Sequence, residues 1–293
     1  MRNFIVKGYN GLDLHCAEYT CSNPTAVVLL VHGMQEHSGR YKEFAEALCK
    51  NGFNVVTSDL RGHGKTAVAE DKQGYGEKDI YEETIKDQLM IVGYIKRTYP
   101  DLPLYYFGHS YGSMLGQKMI QVCPDIKKAV LQGTSYGNNA SYEFGKVLAS
   151  VLCFFGAKNA KATVIERAGF KSWGKPFGGN WFSRDDKVFE DYTNDKYCGK
   201  SFPVSFYKSL FCNMTKVNKG IKNINKDTKI LLTCGSDDPV GAQSKLVRKL
   251  HKLYLKHNLD ARLIVYDGAR HELHNETNKE EVVHDICDFY NER

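Results

Sequence analysis

Leu104-Tyr105-Tyr106-Phe107-Gly108-His109-Ser110-Tyr111-Gly112 is followed by Ser113–Val122, SMLGQKMIQV. Leu104–Phe107 is apolar and aromatic without a charge, which predicts a buried strand; Ser113–Val122 has its apolar residues at helical spacing. Between them, Gly108–Gly112 fits G-x-S-x-G. In that pattern two glycines permit a sharp strand-to-helix turn, which lifts the serine hydroxyl above the sheet and aims the next backbone N–H at the same spot. The pattern alone is weak, because Gly133-Thr134-Ser135-Tyr136-Gly137 matches it too. Context separates the two. Ser135 also follows a strand-like run, but Gly137-Asn138-Asn139 then reads as a loop, so Ser110 is the expected nucleophile and Ser135 a strand-end turn near the site.

Outward from this stretch, strand and helix signals alternate. Ala26–Val31 (AVVLLV) is a continuous β-branched and aliphatic run, as expected of a strand covered on both faces. Leu12–Thr20 is mixed and extended, and Phe53–Thr57 is a further strand signal. Ser38–Lys50 carries Phe44, Ala45, Ala47 and Leu48 and stops before Asn51-Gly52, while Asp79–Tyr99 carries Ile80, Ile85, Leu89, Val92 and Ile95 and stops before Pro100. After the strand Lys128–Gln132, the alternation lapses between about Tyr136 and Lys226. It resumes with Lys229–Thr233, a helix through Gly241–His257, the strand Ala261–Tyr266 and a helix from about Asn278. Such repetition predicts an α/β fold, a mostly parallel sheet with helices on both faces.

The lapse differs in kind. It holds both tryptophans, Trp173 and Trp181, with Phe177, Phe182, Phe189, Tyr192 and Phe206. Residues 136–226 carry 15 Lys and Arg against 7 Asp and Glu, so the whole basic excess of a chain with net charge +6 lies here. Residues 1–135 and 227–293 are therefore expected to form the core, with 136–226 an inserted cap.

Composition narrows the classes. With 42% hydrophobic and 12% aromatic residues, the 293-residue chain is too apolar to be disordered. The longest apolar stretches, 26–31 and the broken run 147–155, fall short of the ~20 residues that span a bilayer. The first fifteen residues offer only Phe4–Val6 as an apolar centre, which predicts no signal peptide. Nine cysteines without a C-x-x-C pair argue against a zinc ribbon or disulfide framework and predict a reducing, cytoplasmic compartment. No nucleic-acid motif accompanies the basic balance, so a nucleic-acid partner is not expected.

A serine nucleophile needs a base, and the base an orienting carboxylate. In a parallel sheet these belong on loops at the carboxyl ends of strands. The strand 229–233 runs into Cys234-Gly235-Ser236-Asp237-Asp238-Pro239, offering Asp237 or Asp238 as the acid. The strand 261–266 runs into Asp267-Gly268-Ala269-Arg270-His271-Glu272, offering His271 as the base. His274 is the alternative, otherwise a solvated loop or helix-start residue. After the first buried strand, Val31-His32-Gly33-Met34 lets the backbone come close, so the N–H groups of Met34 and Tyr111 are expected to form an oxyanion hole. In Ser58-Asp59-Leu60-Arg61-Gly62-His63-Gly64, Asp59 is expected to pin a tight loop, and neither it nor His63 a catalytic role. This chemistry requires no metal and no cofactor.

Taken in order, VHGMQEHSGRY, SDLRGHG, GHSYG, DDPVG and GARHELHNE resemble the monoacylglycerol lipase/lysophospholipase-like group of serine α/β-hydrolases over nearly the whole core. The string from Asn180 to Asp185, followed by Asp195–Gly199, is similar to bacterial lysophospholipases. The resemblance implies an α/β-hydrolase fold, with Ser110 as nucleophile, His271 as base and Met34 and Tyr111 as oxyanion donors. It also implies Asp238, before the proline, as the acid. Gln35 departs from the pattern, standing where many relatives have glycine. The implied activity is hydrolysis of a monoacylglycerol or lysophospholipid ester. Short-chain or phenolic-ester hydrolysis, or peptide hydrolysis, is the alternative on the same fold. The expected partner is a small-molecule or lipid ester, with the basic cap able to touch a lipid interface transiently.

Overall fold

The computed structural model describes residues 1–292, apart from the side chains at positions 170 and 171. Eight strands form one sheet: β1 (Arg2–Lys7), β2 (Asp13–Tyr19), β3 (Ala26–Val31), β4 (Phe53–Ser58), β5 (Leu104–His109), β6 (Ile126–Gln132), β7 (Lys229–Gly235) and β8 (Ala261–Tyr266). The spatial order is β1-β2-β4-β3-β5-β6-β7-β8. The β1–β2 and β2–β4 pairs are antiparallel and the rest parallel; at the centre Val28 faces Val55 on one side and Tyr105 on the other.

Side-chain alternation explains why AVVLLV has no polar position. Val27, Leu29 and Val31 enter one core, with Tyr106, Leu131 and Leu232; Ala26, Val28 and Leu30 enter the other, with Phe53, Phe107 and Leu231. The first core is covered by α2 (Ile80–Thr98), α3 (Tyr111–Val122) and α9 (Lys245–Lys256), the second by α1 (Lys42–Lys50) and α10 (Lys279–Asn291). The Asp79 carboxylate caps α2, accepting from the Glu82 N–H at 3.3 Å.

Between β6 and β7 lie α4 (Ala140–Phe154), the short turns α5 (Thr163–Glu166) and α6 (Ser172–Gly174), then α7 (Asp186–Asn194) and α8 (Val204–Val217). Among the described residues no helix is long and apolar enough to cross a membrane. All nine cysteines are free.

Two elements differ from the expected pattern. β1 is an additional strand, paired only with β2 at the sheet edge and mostly exposed. The helix expected from Gly241 begins at Lys245 instead, because Ala242, Gln243 and Ser244 all take left-handed backbone (φ 50°, 50° and 65°).

Candidate active site

The carboxyl ends of β3, β5, β7 and β8 deliver four loops to one place. Ser110 lies between β5 and α3 with φ 51° and ψ −116°, a conformation costing about 1–3 kcal/mol that persists only where the surroundings enforce it. Here the two flanking glycines do so. A Cβ at Gly108 would lie 2.4 Å from the Gly112 carbonyl oxygen, and one at Gly112 would lie 2.2 Å from that of Val31. The turn is also bonded in place, with the Ser110 N–H donating to the Gln132 carbonyl at 2.9 Å and Tyr106 Oη to the Gly112 carbonyl at 2.7 Å.

His271 is buried, and its Nδ1 lies 2.9 Å from Asp238 Oδ1. The same oxygen accepts the Val240 N–H at 2.9 Å. A carboxylate only accepts, so the imidazole proton sits on Nδ1 and the lone pair on Nε2. Nε2 is buried with no hydrogen-bond partner among the described residues. Asp237 is half-buried and turned away, its N–H on the Ala269 carbonyl at 3.0 Å and its carboxylate 3.5 Å from Ser236 Oγ. The structure thus brings Asp238, and not Asp237, to His271.

His274 departs from expectation. Rather than solvated, it is buried, with Nδ1 2.6 Å from Gln132 Oε1, and burial pulls its pKa down to about 4. Burial, reinforced by the neighbouring His271 and His274, also drives His109 well below the ordinary value. The neutral His109 ring packs between the two, 4.7 Å from His271 and 4.9 Å from His274 between centroids, and Trp181 covers His271 at 5.1 Å. Gly133 makes room for the ring, since a Cβ there would lie 2.9 Å from His271 Cε1.

On the β3 side, a Cβ at Gly33 would lie 3.3 Å from Ser110 Cβ, so the residue before Met34 runs directly beside the serine. The Gly33 N–H donates to buried Glu36 at 2.6 Å. Tyr111 opens α3, where helix N–H groups lack intrahelical acceptors. Asp59 accepts from the Ser38 N–H at 3.0 Å and the Lys65 N–H at 2.8 Å, which ties down the loop as a structural role requires. His63 is buried with its ring against Phe202. Ser135 is buried on the cavity wall, its carbonyl held by Gln117 at 2.8 Å, and is not at a strained turn.

Two networks were not legible beforehand. Arg40 donates to Glu36 at 2.5 Å and, with two nitrogens, to Glu272 at 2.9 and 2.8 Å. Burial would raise the Glu272 carboxyl, but Arg40 outweighs it and holds the group down at about 2. Gln35 has φ 61°, and its side chain donates to Glu166 of α5 at 2.9 Å and to Tyr207 of α8 at 3.3 Å. A left-handed backbone is one that glycine adopts without strain, and the side-chain contacts show what glutamine adds.

Ser110, His271, Met34 and Tyr111 all line one cavity of about 1360 Å³, above the usual range of roughly 300–1,000 Å³ for small-molecule sites. Its upper walls come from residues between β6 and β7, among them Phe144, Leu148, Ile165, Trp173, Trp181 and Phe211. A hydroxyl, an imidazole with a free lone pair and a buried carboxylate on one line of loops can support nucleophilic acyl transfer.

The serine aminopeptidase S33 family model matches residues 22–278. A monoglyceride lipase homolog of monkeypox virus is 29% identical over 263 residues, covering 87% of this chain and 85% of its own. A phospholipase of Bacillus subtilis is 25% identical over 268 residues, covering 90% of this chain and 94% of its own. Among solved structures, a thermostable carboxyl esterase from Bacillus coagulans in complex with glycerol aligns with a TM-score of 0.90 at 26% identity, covering 99% of this chain and 97% of the esterase.

Proposed function

The chain belongs to the serine aminopeptidase S33 family, as an α/β-hydrolase of the monoacylglycerol lipase-like group, and from that premise we propose that it is a carboxylic ester hydrolase acting on monoacylglycerol. Ser110 attacks the acyl carbonyl while His271 Nε2 takes its proton. Asp238 holds the imidazole with its proton on Nδ1 and balances the imidazolium that forms. The N–H groups of Met34 and Tyr111 receive the oxyanion. His271 then protonates the departing glycerol, and water repeats the cycle on the acyl-enzyme.

The observation that carries the substrate class is the charge balance of the cavity. Among the described residues, those that line it and carry a charge are Glu36, Glu166, Glu272 and Lys175. Glu36 and Glu272 share the single guanidinium of Arg40, and Glu166 accepts from Gln35, Ser201, Tyr207 and the Phe202 N–H, while Lys175 is exposed. Among the described residues of the buried part, a phosphate-bearing head group finds no uncommitted cation, and the α-amine of a peptide no carboxylate without hydrogen-bond partners. Buried charges without partners are costly, so an uncharged polyol head with a long acyl chain fits best. The glycerol bound to the Bacillus coagulans esterase agrees with this reading.

We further propose that 136–226 acts as a cap that meets lipid. Along α4, Phe144, Val147, Val151 and Phe154 are exposed, and Phe155 continues the patch. They recur at helical spacing on one side, with Lys146 and Lys158 nearby in a basic segment, as suits a transient lipid interface. We propose a cytoplasmic location, a reducing compartment that nine free cysteines suit.

Hydrolysis of a p-nitrophenyl ester series from about two to sixteen carbons, beside monoacylglycerol and lysophosphatidylcholine, tests the assignment. Medium or long chains and monoacylglycerol should be preferred, and Ser110→Ala should abolish hydrolysis with the fold intact. A maximum at the shortest ester with neither lipid cleaved would refute the lipid assignment while leaving the hydrolase.

A further inference from the structure

Outside the Ser110 cavity, His37, Asp195 and Cys198 bring one nitrogen, one oxygen and one sulfur within 4.8 Å of one another. His37 Nε2 lies 2.9 Å from Asp195 Oδ2, and Cys198 is buried beside them. The residues come from two segments distant in sequence. His37 closes the loop that carries Gly33 and Met34, and Asp195 and Cys198 follow α7. The two segments already meet through the Gly199 N–H, which donates to the Gln35 carbonyl at 3.0 Å.

The geometry points to a site for a thiophilic divalent cation of the zinc class, bound by His37 Nε2, Asp195 Oδ2 and Cys198 Sγ. Zinc bonds of about 2.0–2.3 Å place tetrahedral ligand atoms roughly 3.3–3.8 Å apart. His37 Nε2 and Asp195 Oδ2 stand closer than that range and all three ligand atoms lie within 4.8 Å of one another, so the pair must open by a few tenths of an ångström to admit the metal. Three ligands leave a fourth position for water. The mixed nitrogen, oxygen and sulfur set selects against calcium and magnesium, which take oxygen ligands.

The surroundings suit a cation. Asp195 supplies one carboxylate as a ligand, and close by Glu36 and Glu272 share the single guanidinium of Arg40. Cys198 is a free, buried thiol. On binding, the sulfur–proton bond gives way to a sulfur–metal bond and the proton leaves to solvent. His37 now accepts the Gly39 N–H on Nδ1 at 3.2 Å, which places its own proton on Nε2 facing Asp195. The metal takes the place of that proton, which moves to Nδ1 as the long Gly39 contact opens. The consequence is a staple between the segment after α7 and the loop carrying Met34.

Cobalt(II) titration of the whole chain tests the site through thiolate-to-cobalt charge transfer. One equivalent should give a near-ultraviolet band that zinc then abolishes by displacement. Cys198→Ser should remove the band. His37→Gln should weaken cobalt binding by at least about tenfold, because loss of even an outer partner typically costs that much. Cys212→Ser should change neither. Absence of a band at saturating cobalt, or a band that survives in Cys198→Ser, would overturn the site. If Cys198→Ser does not fold, His37→Gln decides alone: undiminished cobalt affinity in that variant refutes the assignment.

Discussion

Replacing Asp238 by asparagine isolates the charge of the carboxylate from its shape. Oδ1 accepts from both His271 Nδ1 and the Val240 N–H, each at 2.9 Å, and Oδ2 has no partner. An asparagine therefore keeps its carbonyl oxygen on this pair, since turning its amide group there would set two N–H donors against each other at Val240. The histidine keeps its tautomer, and what disappears is the negative charge facing the imidazolium of the transition state. Two unit charges about 4 Å apart attract by about 4 kcal/mol at an effective dielectric of about 20. At about 1.4 kcal/mol per decade, this is roughly a thousandfold. The loss should fall on kcat, with KM little changed, in p-nitrophenyl ester hydrolysis by protein with an unaltered circular dichroism spectrum. Asp237→Asn should cost no more than a few-fold, because that carboxylate is half-buried and touches only Ser236 Oγ at 3.5 Å. A larger loss for Asp237→Asn, or a loss below about tenfold for Asp238→Asn, would refute the reasoning.

Other perturbations test the scaffold around the site. Gly112→Ala puts a methyl 2.2 Å from the Val31 carbonyl oxygen, so α3 must move off β3; urea unfolding should show at least about 1–3 kcal/mol of lost stability, and an unchanged midpoint would contradict the packing. Gln35→Gly removes the side-chain bonds to Glu166 and Tyr207 while relieving left-handed strain. Global stability should then change by less than about 1 kcal/mol, yet limited proteolysis between α5 and α8 should quicken, and equal cleavage rates would count against the link. Burial depresses His32 to about 4, His63 to about 3 and His274 to about 4. Each is neutral when folded and titrates near its ordinary value of 6.5 when unfolded. The stabilisation is therefore complete above pH 6.5 and is lost as pH falls from 6.5 toward 3–4; unfolding free energy that stays flat down to pH 4 would exclude it.

What the sequence disclosed follows from what local patterns can carry. AVVLLV and KILLT were legible as strands because both faces of the sheet are covered, leaving no polar position to break the run. Arg2–Lys7 was not, since an edge strand exposed along most of its length has no such signature. The helix start at Lys245 was hidden because three non-glycine residues in left-handed backbone are a product of tertiary packing rather than of propensity. The loops bearing Ser110 and His271 were located by the strands before them. Residue types alone left Asp237 and Asp238 equivalent, and only the direction of each side chain separates them. His274 shows the opposite failure. A histidine in a polar loop reads as solvated, and nothing local reveals that Gln132, 142 positions away, receives it in the core.

Arg40 shows how such distant contacts bear on the chemistry. Glu36 lies on the loop after β3, and its Oε1 holds the Gly33 N–H one residue before Met34. Glu272 is the neighbour of His271 on the loop after β8. One guanidinium, donating to both, ties the proposed oxyanion loop to the proposed base across 232 positions of sequence. A lysine would offer one point charge where the planar fork makes parallel bonds, so the pair of loops depends on arginine for orientation as well as charge. Glu36 and Glu272 share the one guanidinium, His109 and His274 are held neutral by burial, and Asp238 is the carboxylate placed in hydrogen-bonding contact with His271.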